Sequence, residues 1–88
     1  MTELRTYLHF VLADGGRFNS GCRPQFYFNA VDHDCEVVFP NKATVLAGDW
    51  VVAVITLSKL ACAGVGVGST FSLRQDAKDV ATGIVTKA

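Results

Sequence analysis

A net charge is the first thing this chain lacks. Lysine plus arginine and aspartate plus glutamate both number eight, so the formal net charge at pH 7 is +0. No global field draws such a chain to nucleic acid or to an anionic membrane. Long hydrophobic runs are absent as well. The apolar run Val51–Ile55 falls far short of the roughly 20 residues that a membrane-spanning helix needs. The start, Met1-Thr2-Glu3-Leu4-Arg5, has no signal-peptide shape. Cysteine is sparse: Cys22, Cys35 and Cys62 lie 13 and 27 positions apart, with no C-x-x-C and an odd total. That pattern fits neither a disulfide framework nor a zinc ribbon, and a reduced, cytoplasmic protein is the expectation. Helical periodicity with caps, linkers, repeats and low-complexity tails are also missing.

What the chain does have is apolar residues in short, alternating runs. At 88 residues it is expected to form one domain, 1–88, with little core to spare. Counted with glycine and without tyrosine, its apolar fraction is about 57% against a usual 45–50%. A small domain cannot hide all of that, so some apolar surface is expected to face a partner, either a second copy in a homodimer or another molecule. Leu4, Thr6, Leu8, Phe10 and Leu12 alternate with Arg5, Tyr7, His9 and Val11, the two-residue period of a strand. Turn chemistry follows at Asp14-Gly15-Gly16 and Asn19-Ser20-Gly21. Further strands are expected over residues 25–31, 33–39, 50–60, 69–75 and 80–87, with a turn at Pro40-Asn41-Lys42 and a flexible crossing at Gly64, Gly66 and Gly68. Six strands in this length suggest a closed all-β barrel or a sandwich.

Few residues point to chemistry of their own. In Asp32-His33-Asp34-Cys35, strand alternation sets His33 and Cys35 on one face and Asp32, Asp34 and Glu36 on the other. His33 and Cys35 could form half of a zinc site, but His9, Cys62 or Asp14 would have to complete it. As a catalytic pair they lack an oxyanion hole and an orienting group. Cys35 reads instead as a core residue with Val37 and Phe39. The stretch Gly64-Val65-Gly66-Val67-Gly68-Ser69-Thr70 has neither the lysine nor the following helix of a phosphate-binding loop. No metal, cofactor, nucleotide or catalytic residue is therefore expected.

The most informative segment is Arg23-Pro24-Gln25-Phe26-Tyr27-Phe28, three aromatics alternating behind a proline suited to the first residue of a strand. With Gly15-Gly16-Arg17 upstream and Gly83-Ile84-Val85-Thr86-Lys87 at the end, it resembles the third, C-terminal domain of the translation elongation factor Tu family, from about Leu8 to the last residue. The family's GTPase and middle domains have no counterpart. The resemblance implies a six-stranded antiparallel Greek-key barrel. In that family the domain contacts the backbone of the aminoacyl-tRNA T-stem, packs on the GTPase domain and touches the nucleotide-exchange factor. Arg17 matches the arginine of the family's G-G-R-H element, with Phe18 in place of its histidine. Gln25 matches the glutamine of R-P-Q-F-Y-F, and Arg74 the first arginine of R-E-G-G-R-T-V-G. Met1-Thr2-Glu3 and Thr86-Lys87-Ala88 read as the two ends of a complete small protein.

The departures from the family pattern bear on function. Gln75 replaces the glutamate of that loop, Asp76 and Ala77 its two glycines, and Lys78 its second arginine. Asp34 stands at the second threonine of the family's T-D-V-T-G turn, and Cys35 at the glycine after it. The segment between Arg17 and Arg23 is about three residues shorter. A carboxylate about 7 Å from a phosphate repels it by roughly 0.6 kcal/mol in water, and a few-fold more at an effective dielectric near 20. Asp32, Asp34 and Glu36, with Asp76 nearby, thus oppose RNA. Two readings follow. In one, Asp32, Asp34 and Glu36 form an acidic face for a protein partner, such as one that also binds elongation factor Tu. In the other, Arg17, Arg23, Gln25, Arg74, Gln75 and Lys78 track a tRNA backbone. The first is the main expectation.

Overall fold

The computed structural model describes residues 2–11 and 17–88, so the expectations placed on Met1, Leu12 and Asp14-Gly15-Gly16 lie outside the described residues. Eight strands follow in order: β1 (Thr2–Phe10), β2 (Arg17–Asn19), β3 (Gln25–Phe28), β4 (Val31–Val38), β5 (Thr44–Leu46), β6 (Trp50–Leu57), β7 (Thr70–Gln75) and β8 (Lys78–Lys87). Six of them close an antiparallel barrel in the order β1-β6-β4-β3-β7-β8, with β8 paired back to β1. Between the barrel and the sandwich, the structure selects the barrel. No helix occurs among the described residues, and so none is long and apolar enough to cross a membrane.

Alternation sends one set of side chains inward from each strand. Leu4, Leu8 and Phe10 of β1, Phe26 of β3, Val37 of β4, Ile55 and Leu57 of β6, and Leu73 of β7 are all essentially inaccessible to solvent. Thr6 is buried among them, and its hydroxyl donates to the Ala53 carbonyl at 3.1 Å. This offsets the cost of placing a polar group in the core. Gly83 also points inward. A Cβ there would lie 2.5 Å from Leu8 Cδ2 and 2.6 Å from Phe71 Cζ, so the missing side chain is the space those two residues fill.

Two short strands were not legible. β2 and β5 pair as a separate ribbon, Arg17↔Leu46 to Asn19↔Thr44. Phe18 and Val45 are its buried residues, and the Phe18 ring packs on Phe10 with centroids 4.5 Å apart. The ribbon covers the end of the barrel at which β1 finishes. Three residues are too few to display a period of two.

Strand boundaries also shift. Residues 25–31 were expected to be one strand, but β3 ends at Phe28 and the chain reverses through Asn29 (φ 53°) and Ala30 (φ 64°), so that Val31 opens β4. Asp76 (φ 51°) and Ala77 (φ 61°) connect β7 to β8 in the same way. Two consecutive positive φ values are the signature of the tight hairpin turn whose twist matches its strands. The T-D-V-T-G counterpart is therefore not a turn here, since Asp34 and Cys35 lie inside β4. β6 stops at Leu57, and the segment expected as a flexible crossing is a series of hydrogen-bonded turns. Lys59, Leu60, Cys62 and Gly66 each accept from the residue three positions on, and Gly68 donates to Val85 at 2.8 Å.

Candidate binding face

The outward side chains of β4, β3, β7, β8, β1 and β6 form rows across the barrel, and register fixes which residues become neighbours. One row reads Asp34, Gln25, Arg74, Asp79. The next reads Asp32, Tyr27, Ser72, Thr82, His9, Trp50. A third reads Thr70, Ile84, Tyr7, Val52. The first row is charged; the second, beyond Asp32, runs from an aromatic through two hydroxyls to two stacked rings; the third is largely apolar.

Arg74 organises the charged row. Its guanidinium carbon sits 4.4 Å from the Tyr27 ring centroid. Nη1 is 3.5 Å from Asp32 Oδ2, Nε is 3.5 Å from Asp79 Oδ1, and Nη2 donates to the Ala77 carbonyl at 2.8 Å. The side chain is only 21% exposed, and Nε, although close to Asp79, has no hydrogen-bond partner. Gln25 donates from Nε2 to Asp34 Oδ1 at 3.0 Å. Arg23 reaches Glu36 at 3.5 Å as a solvent-exposed pair.

These contacts change the meaning of the candidate residues. Arg23, Gln25, Arg74 and Gln75 do come together, lining with Pro24 and Asp76 a shallow cavity of about 410 Å³, and Lys78 stands opposite Gln75. Arg17 belongs to the β2–β5 ribbon, a separate sheet at the same end of the barrel. The supposed acidic face is not a second surface, however. Asp32, Asp34 and Glu36 are the partners of Arg74, Gln25 and Arg23, so, Arg17 apart, the two candidate sets form one surface that largely neutralises itself. Asp32, Asp34, Glu36, Asp76 and Asp79 set against Arg23, Arg74 and Lys78 leave it two charges negative.

Cys35 is a core residue. It is buried, its thiol donates to the Pro24 carbonyl at 3.2 Å, and burial above all, with Cys22 and Asp34 nearby, pushes its pKa up to about 12. A thiol held protonated in this way is a poor nucleophile and a poor metal ligand. No group of three or more His, Cys, Asp and Glu suited to a metal occurs among the described residues.

The aromatic rows were missed in the sequence. Trp50 is 56% exposed, Val52 46%, Tyr7 42% and Ile84 40%. The His9 and Trp50 rings stack at 4.3 Å, and Tyr7 stacks on Trp50 at 5.2 Å. Between this cluster and Tyr27 runs an open groove of about 530 Å³. The outward positions of Tyr7 and Trp50 could be read from alternation, but their adjacency needs the β1–β6 register. The chain matches no family model.

Proposed function

We propose that this chain is a non-catalytic protein-binding module, built on a barrel that resembles the C-terminal domain of elongation factor Tu and acting as a mimic or adaptor connected with translation. A protein that also binds elongation factor Tu fits that resemblance. The observation that carries the reading is the self-neutralised charged row. Three of the groups that the RNA reading would direct at a tRNA backbone are already engaged: Arg74 by Asp32, Asp79 and the Ala77 carbonyl, Gln25 by Asp34, Arg23 by Glu36. Backbone readers gain affinity by releasing phosphate counterions. A surface that must first break its own ion pairs, and that carries surplus carboxylates, gains little. Next to it lie exposed aromatic and aliphatic side chains of the kind enriched where proteins meet.

The experiment is a pull-down from cytoplasm with the purified protein, before and after nuclease treatment. Protein partners that survive nuclease, and are lost on charge reversal of Asp32, Asp34 and Glu36 or on replacement of Trp50, are the expected result. A catch that vanishes with nuclease and leaves tRNA would overturn it. In that case Arg17→Ala and Lys78→Ala should weaken binding and flatten its salt dependence. They are cleaner probes than Arg74, whose removal also disturbs Tyr27 and two carboxylates.

A further inference from the structure

Resting on the protein-binding reading, we propose that the groove between Tyr27 and Trp50 binds an extended, proline-rich segment in polyproline II conformation with a basic residue at its Tyr27 end. Four observations lead there. The first is shape. From Tyr27 to Trp50 the second row crosses four strand spacings, about 19 Å, with only Ser72 and Thr82 between Tyr27 and the stacked His9 and Trp50. Small hydroxyl residues flanked by rings leave a trough with aromatic walls. About six residues of polyproline II, at roughly 3.1 Å each, cover that length.

The second is chemistry. No charged side chain lines the groove. Polyproline II leaves its carbonyls free, and proline has no N–H to offer, so a matching surface needs apolar slots and neutral donors. The Trp50 indole, the hydroxyls of Tyr7 and Tyr27 and the Asn29 amide are such donors. Among the described residues none of these four side chains takes part in a side-chain hydrogen bond. A peptide adding as a further strand is excluded, because the barrel is closed and offers no free sheet edge on this face.

The third is charge. Where Tyr27 ends the groove, Arg74 lies between Asp32 and Asp79, leaving one unmatched carboxylate for a basic residue beside the prolines. A neutral oligosaccharide would leave that charge unused, and a nucleic acid would be repelled by it. The fourth is rigidity. Trp50 is stacked on His9 and Tyr7, and Tyr27 lies under the Arg74 guanidinium, so the walls lose little side-chain freedom on binding.

The test uses a fluorescein-labelled peptide of one arginine followed by six prolines, read by anisotropy, together with the emission of the chain's single tryptophan, Trp50. Saturable binding is expected, with a shift in Trp50 emission and a loss of about tenfold or more in both Trp50→Ala and Tyr27→Ala, as for aromatic anchors in general. Lys42→Ala, in an exposed turn away from the groove, should bind as wild type. Trp50→Phe should keep part of the affinity, and thermal melts establish that each variant folds. The proposal is overturned by no saturable binding up to about 2 mM, where affinity is worth only about 4 kcal/mol. Equal binding of an arginine–hexaalanine peptide would overturn it too, as would Trp50-dependent binding of cellohexaose or oligouridylate in its place. If the peptide fails while nuclease-resistant protein partners are still retained, the peptide proposal falls and the protein-binding reading stands.

Discussion

Ala30 and Ala77 each occupy the second position of a two-residue hairpin turn, at φ 64° and 61°. An L-residue pays about 1–2 kcal/mol to sit in the left-handed region, because its Cβ crowds the following carbonyl. Glycine does not, but it gains freedom in the unfolded chain, which returns about 0.4–1 kcal/mol. Ala77→Gly and Ala30→Gly should therefore each stabilise the fold by roughly 0.5–1 kcal/mol. The turns lie at opposite ends of the β3–β7 pair, since Gln25 faces Arg74 and Tyr27 faces Ser72. That separation is about 15 Å, beyond the range at which substitutions usually couple. The double variant should gain about 1–2 kcal/mol, which raises the melting temperature of a chain this size by about 5–15 °C. Gly48→Ala is the mirror control. Gly48 has φ 92° with nothing within 4 Å of where a Cβ would stand, so any loss there is a backbone effect. Urea titration with an unchanged slope would confirm that stability, and not the extent of unfolding, has changed. Neutral or destabilising alanine-to-glycine variants would refute the turn assignment and with it the β3–β4 and β7–β8 registers.

Three further outcomes follow from the packing and the charges. Gly83→Ala should destabilise by about 1–3 kcal/mol, the usual cost of overpacking, because Leu8 and Phe71 occupy the space its Cβ needs; an unchanged melting temperature would contradict that. Arg74→Ala should cost about 1–3 kcal/mol, since it leaves Asp32, Asp79 and the Tyr27 face without their partner, whereas Arg23→Ala, whose pair with Glu36 is exposed, should cost about 0.5 kcal/mol or less; equal effects in chemical denaturation would refute the ranking. Cys35 titrates near 12 when folded and from 9.0 otherwise, so the folded state keeps a proton that the unfolded state loses. Its contribution is whole below about pH 9 and fades as pH rises towards 12, at up to about 1.4 kcal/mol per pH unit; Cys35→Ser should show a correspondingly shallower alkaline decline, and parallel curves would sink the assignment.

The six barrel strands were legible because each is long enough to show its period, as in Leu4-x-Thr6-x-Leu8-x-Phe10. What hid was short or relational. β2 and β5 have three residues each, too few for alternation to stand out. The break between residues 75 and 80 was placed to within two residues, but the β3–β4 turn hid because Asn29-Ala30 lacks the glycine that normally marks such a turn. Val31, which opens β4, therefore read as the end of β3. The candidate residues were found one at a time, but a sequence does not show that Asp32 lies across from Tyr27 and beside Arg74. That pairing depends on a register set by the turn at Asn29-Ala30, which could not be placed. The aromatic groove was lost for the same reason: Tyr7, Trp50 and Ile84 lie on three strands, and only β1 standing between β6 and β8 brings them together.

The β7–β8 turn shows how the path of a hairpin decides what the arginine beside it can do. The resemblance implies two glycines where Asp76 and Ala77 stand, and residues other than glycine seldom adopt positive φ. Both positions nevertheless have positive φ, so the hairpin follows a glycine-like path at a cost in strain. The consequence falls on the arginine. With the turn held in this form, the Ala77 carbonyl accepts from Arg74 at 2.8 Å, while Asp79, across the hairpin, lies 3.5 Å from its Nε. The side chain that the resemblance would aim at a phosphate is folded back over Tyr27 and steadies one wall of the groove. Arg74 therefore acts as scaffold in this surface, because two carboxylates, a carbonyl and a ring within its reach hold the guanidinium in place.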